Sequence, residues 1–165
     1  MTRKLKNLLI EVRSCTLCEE HLPSGPRPIL QVNSRAKILI AGQAPGRKVH
    51  ETGIPFDDPG GERLRDWLGV DNNVFYDETK IALLPMGFCF LGCGKSGDLP
   101  PRPECADAWR EKLLSSLPEI ELTILIGQYA QKYHLGVLQK KNLTETVLSW
   151  KGYWKKGLLP LPHPS

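Results

Sequence analysis

The chain has 165 residues, 22 Lys and Arg against 18 Asp and Glu, and a formal net charge of +4, which suits one domain of ordinary size with a genuine core. The positive charge gathers at Arg3, Lys4 and Lys6 and at Lys140, Lys141, Lys151, Lys155 and Lys156; it permits a polyanionic partner and equally describes a solvated face. No apolar run reaches membrane-spanning length, and the basic N-terminus lacks the apolar stretch and small-residue cleavage site of a secretory signal, so a soluble cytoplasmic protein is expected.

In chain order, Lys4 to Val12 carries Leu5, Leu8, Leu9 and Val12 at helical spacing, followed by Cys15-Thr16-Leu17-Cys18. A Pro/Gly-rich stretch from Leu22 to Pro28 breaks regular structure. Ala36 to Ala41 is a compact apolar run ending at Gly42, the pattern of a strand buried on both faces. Glu62 to Leu68 reads as a helix with Leu64, Trp67 and Leu68 inward and Gly69 as its stop. Ile81 to Leu84 is a short second strand, and Met86 to Pro103, rich in Gly, Pro and Cys, reads as a long irregular loop that needs some extra tie.

Pro103 suits the first turn of a helix running to about Leu117, with Ala106, Trp109, Leu113 and Leu117 on one face. Leu122 to Ile126 is a third buried strand, with a helix beginning near Gln128. Thr144 to Trp150 is a further helix, and Leu158 to Leu161 a terminal strand. Strands alternating with helices imply a three-layer α/β/α sandwich around a central four-stranded parallel sheet.

Two segments stand where such a sheet places its ligands, directly after apolar strands. One is Gly42-Gln43-Ala44-Pro45-Gly46 with Gly53-Ile54-Pro55-Phe56 behind it; the other is His163-Pro164-Ser165. Taken alone, Gly42 and Gly46 serve any strand-to-helix turn, a nucleotide-binding one included. Phe56 is equally a core aromatic, and His163, between two prolines, a surface loop residue.

Taken in order, these motifs resemble the uracil-DNA glycosylase superfamily, and within it the iron-sulfur-containing bacterial and archaeal branch. That branch has Gly-Glu-Ala-Pro-Gly, then Gly-x-Pro-Phe at the same offset, then His-Pro-Ser. The resemblance implies a single glycosylase-like domain over residues 1–165, apparently lacking its C-terminal tail, that hydrolyses the N-glycosidic bond of uracil or a related damaged base in DNA. It implies a monomer with DNA as partner and no membrane. By the resemblance His163 donates a hydrogen bond to the oxyanion of the leaving base, and Phe56 stacks on the flipped-out base. Gly42, Ala44, Pro45 and Gly46 let main-chain groups approach base and water, Gln43 stands at the catalytic position, and Ser165 begins the DNA-backbone contacts.

The cysteines fit the same branch. Five occur, and Cys15, Cys18, Cys89 and Cys105 reproduce its [4Fe-4S] ligand spacing, with Cys93 left over. From the residue types alone, a structural zinc or four reduced thiols remain open. So do two rival functions: a non-catalytic DNA- or nucleotide-binding module, and a redox or regulatory iron-sulfur protein.

Two departures bear on the chemistry. Gln43 replaces the branch's Glu and cannot act as a general base, which leaves Asp57 or Asp58 as the nearby carboxylates. Pro85 stands where the branch has an Asn that reads the base edge, so a donor has to come from elsewhere, Asn72 and Asn73 being candidates.

Overall fold

The computed structural model describes residues 1–165. Its centre is a four-stranded, all-parallel sheet of β1 (Ile38–Ala41), β2 (Ile81–Leu83), β5 (Leu122–Ile126) and β6 (Leu158–Leu161), in the order β2-β1-β5-β6. Registers of Ile38 with Ile81 and Leu122, and of Thr123 with Leu158, align the four strands.

Side-chain alternation splits the core into the two layers that flank the sheet. Leu39, Ala82 and Leu84 pack with Leu5, Leu9 and Val12 of α1 (Arg3–Arg13) and with Leu113 and Leu117. Ile40, Ile81, Leu83, Ile124 and Ile126 pack on the other face against Leu64 of α3 (Pro59–Leu68) and Phe75 of α4 (Asn72–Phe75). A smaller cluster joins Ala41 and Leu125 to Met86, to Ala130 and Leu135 of α7 (Gly127–Leu135), and to Tyr153.

Both sheet edges are managed by the sequence beside them. Gln31 exchanges main-chain hydrogen bonds with Leu83, at 2.9 and 2.7 Å, so the segment around it covers β2. Pro160, which has no N–H to donate, sits in the other edge strand, where its missing donor costs no ladder bond in the sheet's interior. No helix is long and apolar enough to cross a membrane.

Several elements differ from the sequence reading. The helix expected from Glu62 begins at Pro59, because Asp58 caps it by accepting from Gly61 N at 2.7 Å and Pro59 is preset for the first turn. Trp67 is 47% exposed, and Arg65, not Trp67, turns inward.

The long loop after β2 contains a short antiparallel hairpin, β3 (Cys93–Gly94) with β4 (Gly97–Asp98), turning on Lys95-Ser96. The helix from Pro103 is interrupted by a π-helical turn, Ala106–Arg110, between α5 (Pro103–Cys105) and α6 (Glu111–Ser115). That extra residue per turn swings Arg110 fully into the core. Thr144 to Trp150 resolves into two short helices, α8 (Leu143–Leu148), capped by Asn142, and α9 (Trp150–Trp154).

Candidate functional site

Strand order reverses about β1: the chain passes from β1 to β2 on one side and returns to β5 on the other. At that switch point the loops leaving neighbouring strands diverge and open a crevice at their carboxyl ends. A cleft of about 90 Å³ lies there, lined by Gly42 to Gly46 after β1, Pro85 after β2, Ile126 at the end of β5 and His163 after β6. A volume several times the ~10–15 Å³ that holds one water admits a small ring.

The β1–β2 ladder continues into the first loop. Met86 N donates to Gly42 O and Gly87 N to Gln43 O, both at 2.9 Å, so the start of the Gly42–Gly46 loop is held as sheet is held.

Phe56 forms one wall, reached through α2 (Arg47–Thr52) and the Gly53 turn. Its φ of 58° is the one positive value among non-glycine residues, a backbone state that costs an aromatic residue on the order of 1 kcal/mol or more. Three contacts impose it. Arg65 Nη1 donates to Phe56 O at 3.1 Å, Tyr76 Oη donates to Pro55 O at 2.8 Å, and Gly61 lies so close that a Cβ there would fall 1.8 Å from Phe56 O.

Burial raises the Tyr76 pKa above its ordinary value, keeping the hydroxyl a donor. The Phe56 ring meets Phe75 edge-on at 5.8 Å, and its Cζ would lie 3.3 Å from a Cβ on Gly42. Residue 42 therefore has to be small for the ring to lie where it does.

The other predicted residues divide between cleft and surroundings. Gln43, Ala44, Pro45, Gly46 and His163 line the cleft with Phe56 and Gly42. Ser165 does not; Arg63 Nη1 donates to its main-chain carbonyl at 2.6 Å, which holds the end of the chain against α3. Asp58 lines the cleft while its Oδ1 caps α3, whereas Asp57 is absent from the lining. Asn72 and Asn73 open α4 and do not reach the cleft.

Pro85 faces the cleft with no side-chain donor, and its carbonyl is held from behind by Arg110. Arg110 is 0% exposed and has no carboxylate partner. Its Nη1 donates to Leu84 O at 3.1 Å and to Pro85 O at 2.9 Å, its Nη2 to Leu84 O at 3.1 Å, and the Tyr133 ring lies 5.4 Å away. His134 Nε2, 2.9 Å from Nη2, completes the shell as an acceptor. Burial, and then the Arg110 charge, push the His134 pKa down to about 3, so the ring is neutral. Burial lowers Arg110 to about 10, which leaves it charged at neutral pH.

Cys15, Cys18, Cys89 and Cys105 line a second, separate cavity of about 30 Å³ with Leu17, Leu22, Pro28, Phe88 and Arg102. All are free thiols, and Trp109 Nε1 donates to Cys15 Sγ at 3.2 Å. Burial first, and neighbouring thiols among the further causes, raise the pKa of Cys89 and push Cys105 to about 12. No group of three or more His, Cys, Asp or Glu side chains is drawn together as a single-ion site. Cys93 lies apart and exposed, its Sγ donating to Asp98 Oδ1 at 3.3 Å.

Sequence reasoning missed four contributors. Asp98 lines the cleft, brought there by the hairpin; the Gly94-Lys95-Ser96-Gly97 turn signal was the available clue. Arg65 and Tyr76 fix the Phe56 turn, and Arg110 fixes Pro85; nothing local in the sequence marks these three. Residues 30–165 match the family model described as the uracil DNA glycosylase superfamily, so the match takes in all of the sheet and every cleft-lining residue except Ile29.

Proposed function

From the premise that the chain belongs to the uracil DNA glycosylase superfamily, we propose that it is a monofunctional DNA glycosylase that hydrolyses the N-glycosidic bond of uracil or a related damaged base. The observation that carries this reading is the meeting of Phe56, His163 and the Gly42 to Gly46 loop on one cleft at the switch point. A base extruded from DNA needs an aromatic surface, a donor for its developing oxyanion and close main-chain approach. Those three parts line this cleft.

In this reading Phe56 stacks on the base and its clamped turn keeps the ring from following the base outward. His163 donates to the base oxygen as negative charge develops there. Oxyanion donors of this kind are worth about 10²–10³ in rate. Ser165, beside Arg63, starts the contact with the DNA backbone, and the basic residues of the chain supply its salt-dependent attraction.

The four thiols of the second cavity fit an iron-sulfur cluster: Cys15, Cys18, Cys89 and Cys105 would hold it as thiolates. When bound, it would supply a rigid tie between the end of α1, the loop after β2 and the end of α5. A zinc ion, with Zn–S bonds of about 2.3 Å, needs its donors drawn together more tightly than a cluster does. Thiols spread around a shared cavity suit the larger group.

The decisive experiment measures base release from single- and double-stranded uracil oligonucleotides at neutral pH, for the parent chain and for His163→Ala and Phe56→Ala. Release by the parent that falls about 100-fold or more in His163→Ala supports the reading. DNA retention without release supports the rival binding module instead, which Pro85, lacking a base-reading donor, favours.

A further inference from the structure

We propose that Asp98 is the carboxylate that activates the hydrolytic water and that Gln43 is the residue that positions it; this rests on the glycosylase reading above. The motif loop after β1 holds no carboxylate, because residue 43 is Gln. The cleft nevertheless contains two, Asp58 and Asp98. Asp58 is committed to the α3 cap through its Oδ1. Asp98 comes from β4 and reaches the first loop: its Oδ2 would lie 3.3 Å from a Cβ on Gly46, so only a glycine there admits the carboxylate without displacement.

The Asp98 carboxylate is oriented on both sides. Its Oδ1 accepts from the Cys93 thiol, the residue paired with it across the hairpin, which leaves Oδ2 for the cleft. The next residue, Leu99, accepts at its carbonyl from Gln43 Nε2 at 3.1 Å. That bond needs an N–H donor, and a Glu at position 43 has none when ionised. The amide therefore does what a carboxylate there cannot: it fastens the hairpin's exit to the loop under the cleft. Chemistry lost from the loop by the change to Gln is restored by a carboxylate that the same Gln holds in place.

The step balances as follows. Water transfers one proton to Asp98 while its oxygen bonds to C1′ of the sugar, and the C1′–N bond breaks with its electron pair left on the base. The base anion, hydrogen-bonded by His163, then takes one proton from Asp98, giving a neutral base, an abasic sugar and the carboxylate restored.

The test uses the full chain in single-turnover base release from a uracil oligonucleotide at neutral pH, with DNA affinity measured alongside. Asp98→Asn is expected to lower the rate on the order of 100-fold or more and to leave affinity within a factor of about three. Asp98→Glu is expected to retain part of the rate, and Gln43→Glu to lower it about tenfold in the parent but to add no further loss in the Asp98→Asn background, as expected of a residue that acts through Asp98. An Asp98→Asn protein as fast as the parent overturns the assignment and leaves the glycosylase reading standing. A parent that releases no base overturns both.

Discussion

Replacing His134 with Gln tests whether the buried Arg110 is held by a neutral acceptor. In the folded chain the His134 pKa is pushed down to about 3 from an ordinary 6.5, by burial first and the Arg110 charge second. Between those values the unfolded chain binds a proton that the folded chain refuses, so stability falls as pH drops below about 6.5 and goes on falling to about 3. From pH 7 to pH 5 this one group removes about 2 kcal/mol, at ~1.4 kcal/mol for each unit below its unfolded pKa.

Gln offers Arg110 a carbonyl oxygen in place of Nε2 and does not titrate, so its stability should change by less than about 0.5 kcal/mol over the same interval. The assay is urea unfolding of parent and variant at pH 7, 6 and 5. The window stays above the range where Asp77 and Glu104 act; hydrogen bonds from Thr79 and Arg102 lower their pKa values, and the stability they add is lost only as pH falls through those lowered values. Parallel curves for the two proteins would show that His134 already accepts a proton in the fold, and the account of Arg110 would fail with it.

Gly61→Ala should destabilise by about 3 kcal/mol or more, measured by thermal unfolding, because a methyl group there meets backbone rather than a movable side chain. Arg65→Met should cost about 2–3 kcal/mol through its lost hydrogen bonds to Phe56 O and Tyr76 Oη, and should weaken DNA retention by freeing the Phe56 turn; unchanged retention would show that the turn stands without its clamp. Anaerobically purified parent chain should contain iron and acid-labile sulfide with visible charge-transfer absorbance, and Cys89→Ser should lose them. Zinc at one equivalent without sulfide would replace the cluster assignment.

Most of the framework was legible because the strands are short apolar runs bounded by Gly or Pro, the form that a sheet buried on both faces takes. Ile38–Ala41, Leu122–Ile126 and Leu158–Leu161 stand where those runs put them. The cleft residues were legible for a different reason, since loops after parallel strands diverge where the strand order reverses and line the crevice that opens between them. Trp67 was misplaced because helical spacing does not say how far the sheet extends over a helix, and Arg65 took the inward position by finding carbonyl, hydroxyl and aromatic partners. Arg110 was invisible because a π-turn breaks the 3.6-residue period on which the helix face was read. Asp98 was hidden by a hairpin of two-residue strands, too short to leave an alternating pattern.

Pro85 borders the cleft and Cys89 the thiol cavity, and the stretch of backbone from one to the other is at most about 14 Å when drawn out fully. Arg110 grips that span at its near end. Oxidation of those thiols, or loss of a cluster that they would hold on the proposed reading, would therefore pull on a tether whose other end is the floor of the cleft. Damage to the thiol cavity would then blunt the cleft without altering a single residue that lines it.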